Sequence, residues 1–331
     1  MGKQTAYIFS DGSLRRQGNT LCLEREDGKR HIPIQAVRDV FVFGEVDVNK
    51  RVLELLSQHE IIMHYFSYYG YYMGSFYPRE HYNSGYMTLK QAEYYLDEER
   101  RMCLARSFVG GALRNLARVL LYYGNRGKNV ENELDYINKL QERVCEQDSI
   151  EQLMALEGNA RRQYYQAFDA ILENPDFAFE RRTRRPPENR LNALISFCNS
   201  LVYTTVLSEA YKTHLDPRIG FLHSTTSRRF SLNLDVAEIF KPLLADRLIF
   251  TLVGKRMIKV SSFDDGRGGI FLKESSRKTV VETYDERLKQ TIKHKQLRRD
   301  VSYRELIRLE LYKIQKHLMG EAEYTPFEAR W

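Results

Sequence analysis

The sequence predicts an α+β protein in which a small N-terminal β domain, residues 1–85, precedes a larger all-α C-terminal domain, residues 86–331. The first part contains short runs of β-branched and aromatic residues separated by turn signals, whereas the second has apolar residues at three- and four-residue spacing. The chain has 331 residues, of which 43% are hydrophobic, so it can bury a sizeable core divided between two domains.

The first domain is expected to be mostly antiparallel. Runs such as "AYIF", "TLCLE", "DVFVFG" and "IIMHYF" alternate with the turn sequences "SDGS", "RQGN" and "EDGK". One helix is predicted over residues 49–58, where Val52, Leu55 and Leu56 fall at helical spacing. Ten of the 22 residues from Tyr65 to Tyr86 are Tyr or Phe, which we assign to the core and a dimer contact rather than to base stacking.

The domain boundary is expected between Pro78 and Thr88, where "YPREHYNSGYMT" interrupts both patterns. Apolar residues at helical spacing then recur in seven segments, residues 90–123, 129–143, 149–174, 189–213, 235–253, 281–293 and 302–318. These segments predict a helical second domain.

Several classes of protein are disfavoured by what the sequence lacks. The N-terminus has no secretory signal pattern, and no apolar run approaches the roughly 20 residues that span a bilayer, so we expect a cytoplasmic protein without membrane contact. The four cysteines are scattered without a CxxC pair, which indicates neither a disulfide framework nor a thiolate zinc site. The chain contains no GxxxxGK[ST], GxGxxG or GxSxG signature.

The basic excess lies in the second part of the chain. Residues 1–90 carry 11 Lys and Arg against 10 Asp and Glu, whereas residues 91–331 carry 40 against 34. Its densest point is "RRTRR" at residues 181–185, accompanied by the pairs Arg161-Arg162 and Arg228-Arg229. Such clusters form solvated faces or bind phosphate-rich partners, and their number here favours a nucleic acid.

Glu157 is an anomalous carboxylate on a predicted helix. It shares a helical face with Ala160, Tyr164 and Phe168 and is therefore expected to point inward. An inward carboxylate must be paired, hydrogen-bonded or bound to a metal, because burying it alone costs several kcal/mol. A salt bridge to one of the many arginines explains it as well as a metal does.

A second anomaly follows in "IGFLHSTTSRRFSLNLDVAEIF", where Asp235 and Glu238 share one side of a helix and His223 follows an apolar triplet. Together with Glu157 these side chains supply oxygen and imidazole ligands suited to Mn²⁺ or Mg²⁺. No local motif such as HExxH joins them, and a core histidine with salt-bridged carboxylates is the alternative.

The blocks "LEGNARRQYY", "RTRRPPENRLNALISF", "LDPRIGFLH" and "SLNLDVAEIFKPLLADR" resemble the signatures of the CRISPR-associated integrase family, the larger of the two proteins that insert new spacers into CRISPR arrays. The resemblance extends along nearly the whole chain and is greatest to members from type I systems, subtype I-B. It implies a homodimer joined mainly through its β domains. It also implies two further partners, double-stranded DNA (spacer precursor and array) and the small CRISPR adaptation protein.

The resemblance also implies that Glu157, His223 and Glu238 are the metal ligands and that Asp235 is an adjacent acidic residue that assists in some members. One position departs from the family pattern. The family often carries Arg after the Phe of "EPFRP", whereas Lys241 precedes Pro242 here, so a bidentate phosphate contact is in doubt at that position.

The implied activity is that of a metal-dependent DNA endonuclease and strand-transferase, in which a DNA 3′-hydroxyl attacks a phosphodiester at the repeat edge. The reaction needs no ATP, in agreement with the missing nucleotide-binding loop. The candidate phosphate contacts are Arg161, Arg181, Arg182, Arg184, Arg185, Arg228 and Lys241.

Two other classes of function remain open at this point. A non-catalytic DNA-binding dimer would use the same basic residues. A carboxylate-pair hydrolase acting on a sugar is disfavoured by the basic excess.

Overall fold

The computed structural model describes residues 3–78, 82, 84–225, 230–266, 268–294 and 297–330. The chain divides into two compact units, Met1–His81 and Tyr82–Trp331, called unit 1 and unit 2 below. This division falls four residues before the predicted boundary at residue 85. Residues 79–81 and 83 of the predicted boundary segment lie outside the described residues.

Unit 1 contains eight strands, one α-helix and a short 3-10 turn, Ile34–Ala36, within its described residues. The strands and the α-helix are β1 (Gln4–Ile8), β2 (Gly12–Gln17), β3 (Thr20–Arg25), β4 (Gly28–Pro33), β5 (Val37–Val42), β6 (Val46–Val48), α1 (Lys50–Gln58), β7 (Met63–Phe66) and β8 (Tyr72–Phe76). The strands form two four-stranded sheets, in the orders β1-β5-β7-β8 and β4-β3-β2-β6.

The predicted N-terminal β domain is confirmed, although its strand directions are mixed and only half of the strand pairs are antiparallel. The pairs β1/β5, β5/β7 and β2/β6 are parallel, whereas β2/β3, β3/β4 and β7/β8 are antiparallel. The short turns that the sequence shows can join only antiparallel neighbours, whereas parallel neighbours need long crossovers that leave no local signal. Between β5 and β7 the crossover consists of β6 and α1.

The predicted helix of unit 1 is confirmed as α1. The Asn49 side chain accepts a hydrogen bond from the Val52 amide at 3.1 Å and so caps the helix start. Val52, Leu55 and Leu56 are fully buried and join the strand residues in one hydrophobic core. In the aromatic segment, Phe66 is buried whereas Tyr68 is 72% exposed, so only part of that segment fills the core of unit 1.

Unit 2 is mainly helical, as predicted. Its described elements are α2 (Gly85–Leu96), α3 (Glu98–Gly124), α4 (Glu131–Glu142), α5 (Ile150–Leu172), α6 (Arg190–Ala210), α7 (Ser231–Lys241), α8 (Arg247–Gly254), β9 (Phe263–Gly266), β10 (Gly269–Leu272), α9 (Glu274–Lys289), β11 (Thr291–His294), β12 (Arg299–Ser302) and α10 (Tyr303–Leu318). The antiparallel pairs β9/β10 and β11/β12 are additions to the predicted all-α domain.

Two predicted helices are each divided in the structure. The segment predicted as residues 90–123 breaks at Asp97, whose side chain accepts a hydrogen bond from the Arg100 amide at 3.0 Å and begins α3. The segment predicted as residues 235–253 forms α7 and α8, joined by a π-helical turn over Pro242–Asp246. Pro242 has no amide hydrogen with which to continue the α-helical pattern.

Helix α6 departs from the expectation that no apolar run approaches membrane-spanning length. It has 21 residues and a mean hydropathy of 1.3 over its most apolar window, and 89% of that window is buried inside the protein. A core helix can have the same length and apolar composition as a membrane-spanning helix, and α6 is buried as a core helix is.

Candidate active site

Helix α5 begins at a cap in which the Ser149 hydroxyl accepts a hydrogen bond from the Gln152 amide at 3.2 Å. The helix places Glu157 and Arg161 one turn apart, while Tyr164 and Phe168 on the same face are fully buried. The Glu157 side chain is 16% exposed, so it lies at the edge of the core. The inward face predicted for this helix is thus present.

Helix α7 brings a second carboxylate to the same place. The Glu238 side chain is 6% exposed, and its Oε2 accepts a hydrogen bond from Arg161 Nη2 at 2.8 Å. Its Oε1 is paired with Lys241 Nζ, and Lys241 also donates to the Tyr203 hydroxyl at 3.1 Å. Both oxygens of Glu238 therefore contact cationic side chains.

Arg161 is the centre of this cluster. Its Nη1 lies 3.4 Å from Asp246 Oδ2, in the π-helical turn, and its Nε lies 3.6 Å from Glu157 Oε1. Three carboxylates from three elements thus surround one buried guanidinium. We name these side chains, Glu157, Arg161, Glu238, Lys241 and Asp246, the Arg161 cluster.

Asp235 binds the loop that carries His223. Its Oδ2 accepts hydrogen bonds from the amides of Phe221 at 2.6 Å and Leu222 at 3.0 Å. Its Oδ1 accepts from the His223 amide at 2.9 Å and pairs with His223 Nδ1 at 2.8 Å. Both oxygens of Asp235 are thus engaged in holding the loop and the ring of His223.

Gly220 permits this close approach of the loop. A Cβ at that position would lie 2.7 Å from Asp235 Oδ2 and 2.6 Å from the Ser231 carbonyl carbon. Because real Cβ atoms do not approach this closely, any larger residue would push the loop away from α7.

The contact with Asp235 selects one form of the His223 ring. A proton on Nδ1 is donated to the carboxylate, which leaves Nε2 as the nitrogen that can act as a ligand. Burial lowers the pKa of His223, but the hydrogen bond and charge of Asp235 outweigh burial and raise it overall.

The pKa values of the two candidate carboxylate ligands move apart. Burial, reinforced by the negative charge of Glu238, raises the pKa of Glu157. Glu238 is also buried, but Lys241 and Arg161 more than offset burial and hold its pKa well below its usual range. Burial raises the pKa of Asp246 to about 6 despite its contact with Arg161.

The donor set fits a divalent cation in chemistry, but its atoms do not converge. No three His, Cys, Asp or Glu side chains of the described ranges form a metal-binding group. Both oxygens of Glu238 are instead held by Arg161 and Lys241. The buried Arg161 Nε has no hydrogen-bond acceptor in the described part of the chain, which indicates an incomplete polar arrangement.

The predicted phosphate contacts occupy different environments. Arg161 and Lys241 are buried in the Arg161 cluster. Arg182 is held by Asn192 Oδ1 at 3.0 Å and Ser196 Oγ at 2.9 Å, and exposed Arg181 pairs with Glu188 at 2.8 Å. Arg184 and Arg185 are exposed, and Arg228 lies outside the described residues.

The sequence reasoning missed residues that shape the site from a distance. Buried Gln91 donates to the carbonyls of Asp216 and Ile219, both at 3.0 Å, and accepts from the Asp216 amide at 2.7 Å. Arg101 Nε donates to the Phe221 carbonyl at 2.9 Å. These residues fix the loop before His223, and a lone glutamine or arginine on a helix carries no local signal for such a role.

Comparison with known proteins identifies the family. The family model described as "CRISPR associated protein Cas1" matches residues 6–286. The chain is 57% identical over 329 residues to the CRISPR-associated endonuclease Cas1 2 of Thermodesulfovibrio yellowstonii, covering 99% of this chain and 100% of that relative.

Solved structures agree with this comparison. A Cas1 protein from Thermotoga maritima matches with a TM-score of 0.88 at 46% identity, over 98% of this chain and 100% of that one. A casposase bound to an integration product has the same fold, with a TM-score of 0.87 at 16% identity, over 99% of this chain and 94% of that one. The chain therefore belongs to the CRISPR-associated Cas1 family, as the resemblance of its signature blocks predicted.

Proposed function

We propose that the protein is a metal-dependent DNA endonuclease and integrase that inserts new spacer DNA into CRISPR arrays. The observation that carries the proposal is that Glu157 and Glu238, from two different helices, both contact the guanidinium of Arg161, with His223 close enough for its charge to act on both carboxylates. The name of the 57%-identical relative, an endonuclease, supports the same reaction class.

In the proposed reaction, the 3′-hydroxyl oxygen of the incoming DNA forms a bond to a phosphorus atom at the repeat edge. The original phosphorus–oxygen bond breaks, and the displaced oxygen leaves as a new 3′-hydroxyl after it gains a proton. One phosphodiester replaces another, so no nucleotide cofactor is required. Attack by water at the same phosphorus would cut the DNA instead.

Glu157, Glu238 and the Nε2 atom of His223 would hold Mn²⁺ or Mg²⁺. The bound cation supplies charge neutralisation at the scissile phosphate and a lower pKa for the attacking hydroxyl. For Glu238 to act as a ligand, its oxygens must exchange their contacts with Arg161 and Lys241. Those two cationic groups would then be available to neighbouring phosphate oxygens.

The remaining DNA contacts and partners are also part of the proposal. The segment at residues 181–185, with Arg181, Arg184 and Arg185 exposed, would bind backbone phosphates without reading sequence. Homodimerisation through unit 1 and assembly with the small adaptation protein follow from the family resemblance.

Neutralising the exposed arginines tests the DNA contact. Changing Arg181, Arg184 and Arg185 together to Gln should weaken binding to all duplex sequences and reduce the salt slope by about 0.9 for each phosphate that is no longer neutralised. Arg182→Gln serves as a comparison, because its side chain is held by Asn192 and Ser196. An unchanged salt slope in the triple variant would assign these arginines to a solvated face.

A non-catalytic DNA-binding dimer is the second candidate. It is favoured by one observation, that both Glu157 and Glu238 already have an ionic partner in Arg161. Under this alternative the carboxylates only balance the positive charge of Arg161. Removing Mn²⁺ or Mg²⁺ would then change neither DNA binding nor any other property of the protein.

A strand-transfer assay separates the two candidates. Supercoiled plasmid carrying a CRISPR array would be incubated with duplex DNA and Mn²⁺, with and without the small adaptation protein, and then with a chelator. We expect transfer that the chelator abolishes and that Glu238→Gln eliminates. Glu305→Gln, on an exposed ion pair with Arg299, is the matched control and should behave as wild type. DNA binding without any metal-dependent transfer or cleavage would support the second candidate.

A further inference from the structure

The end of the chain packs along the helical core beside α7. We name residues 321–330 the C-terminal strap. Tyr324 and Ala329 in this segment are buried, and the Tyr324 hydroxyl donates to Glu310 Oε1 at 2.6 Å. The Phe327 amide donates to the same oxygen at 2.9 Å. A segment without helix or strand is thus held to α10 by a buried carboxylate.

One buried side chain joins the strap to the candidate catalytic helix. Asn115, on α3, is fully buried and donates from Nδ2 to the carbonyls of Ile239 at 2.9 Å and Phe327 at 3.0 Å. Its Oδ1 accepts from the Ala329 amide at 2.9 Å. Ile239 follows Glu238 directly, so the amide of Asn115 connects the backbone beside a proposed ligand with two residues of the strap.

Apolar contacts reinforce the same junction. The rings of Phe240 and Phe327 are stacked with centroids 5.7 Å apart and an interplanar angle of 6°. On α3, a Cβ at Gly111 would lie 2.5 Å from Pro326 Cβ and 3.6 Å from Ile239 Cγ1. The glycine therefore allows α3, the strap and α7 to approach more closely than any side chain would permit.

Helical geometry relates this junction to Glu238. Residues three apart share a face, so Lys241 lies on the side of α7 where Glu238 contacts Arg161, whereas Phe240, two residues after Glu238, points away from that side. Helix α7 is therefore held between Arg161 on one side and the strap on the other. Phe327 contacts α7 through an uncharged ring, so changing this side chain removes no charged group.

We infer that Asn115 and the C-terminal strap are positioning elements that hold Glu238 in place through helix α7. The expected effect on strand transfer rests on the proposed function, whereas the hold of the strap on α7 does not. Displacing a reacting group by about 1 Å costs on the order of 100-fold in rate, so loosening α7 should be visible in turnover.

The test compares full-length Phe327→Ala with two matched variants. Phe327→Tyr keeps the stacked ring, since Phe327 is only half-buried and a hydroxyl can reach water. Phe177→Ala removes a buried ring that contacts Phe263 of β9 rather than α7. Asn115→Ser is a second disruptive variant that keeps a polar group but cannot reach three partners.

Two measurements are made on each protein. In hydrogen–deuterium exchange, amides of residues 231–241 should become about tenfold less protected in Phe327→Ala and Asn115→Ser, and not in the other two variants. Strand transfer with Mn²⁺ should fall about 10- to 100-fold in the same two variants, with unchanged affinity for duplex DNA. Phe327→Tyr should retain the amide protection and the strand-transfer rate of the wild type.

The outcomes separate this inference from the proposed function. Unchanged protection of residues 231–241 in Phe327→Ala and Asn115→Ser overturns the inference, as does an equal loss in Phe177→Ala. Loss of protection with full transfer activity also overturns it. Absence of metal-dependent transfer in the wild type would refute the proposed function, and the exchange data would then decide the positioning role alone.

Discussion

Two buried ion clusters in the described part of unit 2 have opposite arrangements. In the Arg161 cluster, three carboxylates surround one guanidinium, with Lys241 as a second cation. Around α6, by contrast, the single carboxylate of fully buried Glu209 lies 3.4 Å from Lys212, 3.6 Å from Arg304 and 2.7 Å from Arg308 Nε. The first cluster has an excess of acid and the second an excess of base.

The difference in exposure explains why only one of these clusters resembles a ligand site. Arg308 keeps 34% of its side chain exposed, so water can solvate the positive excess around Glu209. Side chains of the Arg161 cluster are at most 16% exposed, and a histidine with one available ring nitrogen lies beside them. An acidic excess in such surroundings favours a bound cation.

The largest expected contrast comes from removing one charge in each cluster. Glu238→Gln should reduce strand transfer by at least about 10³-fold, because a neutral amide replaces a proposed ligand of the cation. Glu209→Gln should leave transfer within about threefold of wild type but destabilise the fold by about 3 kcal/mol, because buried Arg304 loses its ion pair with Glu209. Transfer rates and denaturant unfolding measure the two effects. Similar transfer rates in the two variants would remove the distinction between the clusters.

A smaller loss is expected from the residue that orients His223. Asp235→Asn should lower strand transfer about 10- to 100-fold and raise the Mn²⁺ concentration for half-maximal rate, because the amide no longer fixes the Nδ1 proton. Asp216→Asn, in the same loop but paired with exposed Arg218, is the control and should leave the Mn²⁺ requirement unchanged. If Asp235→Asn needed the same Mn²⁺ concentration as the wild type for half-maximal rate, the contact of Asp235 with His223 would only support the fold.

The pH dependence of stability sharpens the comparison further. Burial raises the pKa of Asp246 to about 6, above its unfolded value of 3.8, so the folded state binds its proton more tightly. The contribution of Asp246 protonation to the free energy of unfolding is fully present below about pH 4 and is lost as the pH rises through about 6. Relative to wild type, Asp246→Asn should therefore gain stability between pH 4 and 7, by at most about 3 kcal/mol.

Denaturant unfolding in the presence of a chelator, at intervals of half a pH unit, measures this difference. Asp285→Asn, on an i,i+4 pair with Lys289, is the control outside the cluster. A difference in stability that is constant from pH 4 to 7 would contradict the raised pKa of Asp246.

The smallest expected effect concerns the choice of cation. One imidazole and two carboxylates should favour Mn²⁺ over Mg²⁺ by several-fold in half-saturating concentration, because Mg²⁺ prefers oxygen ligands. His223→Asp makes the set all-oxygen and should narrow or reverse this preference even if the rate falls. Strand transfer against titrated Mn²⁺, Mg²⁺ and Ca²⁺ measures it, with Ca²⁺ expected to support poor turnover. An unaltered preference in the variant would exclude His223 as a ligand.

Local patterns in the sequence were sufficient for much of the architecture. The helical spacing of Val52, Leu55 and Leu56 predicted α1, and the Asn49 cap makes its start a local property of the chain. The mixed strand directions of unit 1 were not predicted, because parallel pairs join strands across long crossovers. The π-helical turn likewise interrupts a spacing that reads as one continuous helix.

The sequence by itself determined the two-part organisation, most helices, the family, and the carboxylates and histidine that stand out against apolar surroundings. It could do so because periodicity, caps and motifs depend on neighbours a few residues away. Only the tertiary structure decided that Arg161 pairs with Glu238, 77 residues distant, and that Asp235 holds the His223 loop. It also decided that Asn115 joins α7 to Phe327 and Ala329, which lie more than 200 residues further along the chain. Those contacts depend on which helix faces pack together, and that packing is set by the whole core rather than by any local stretch.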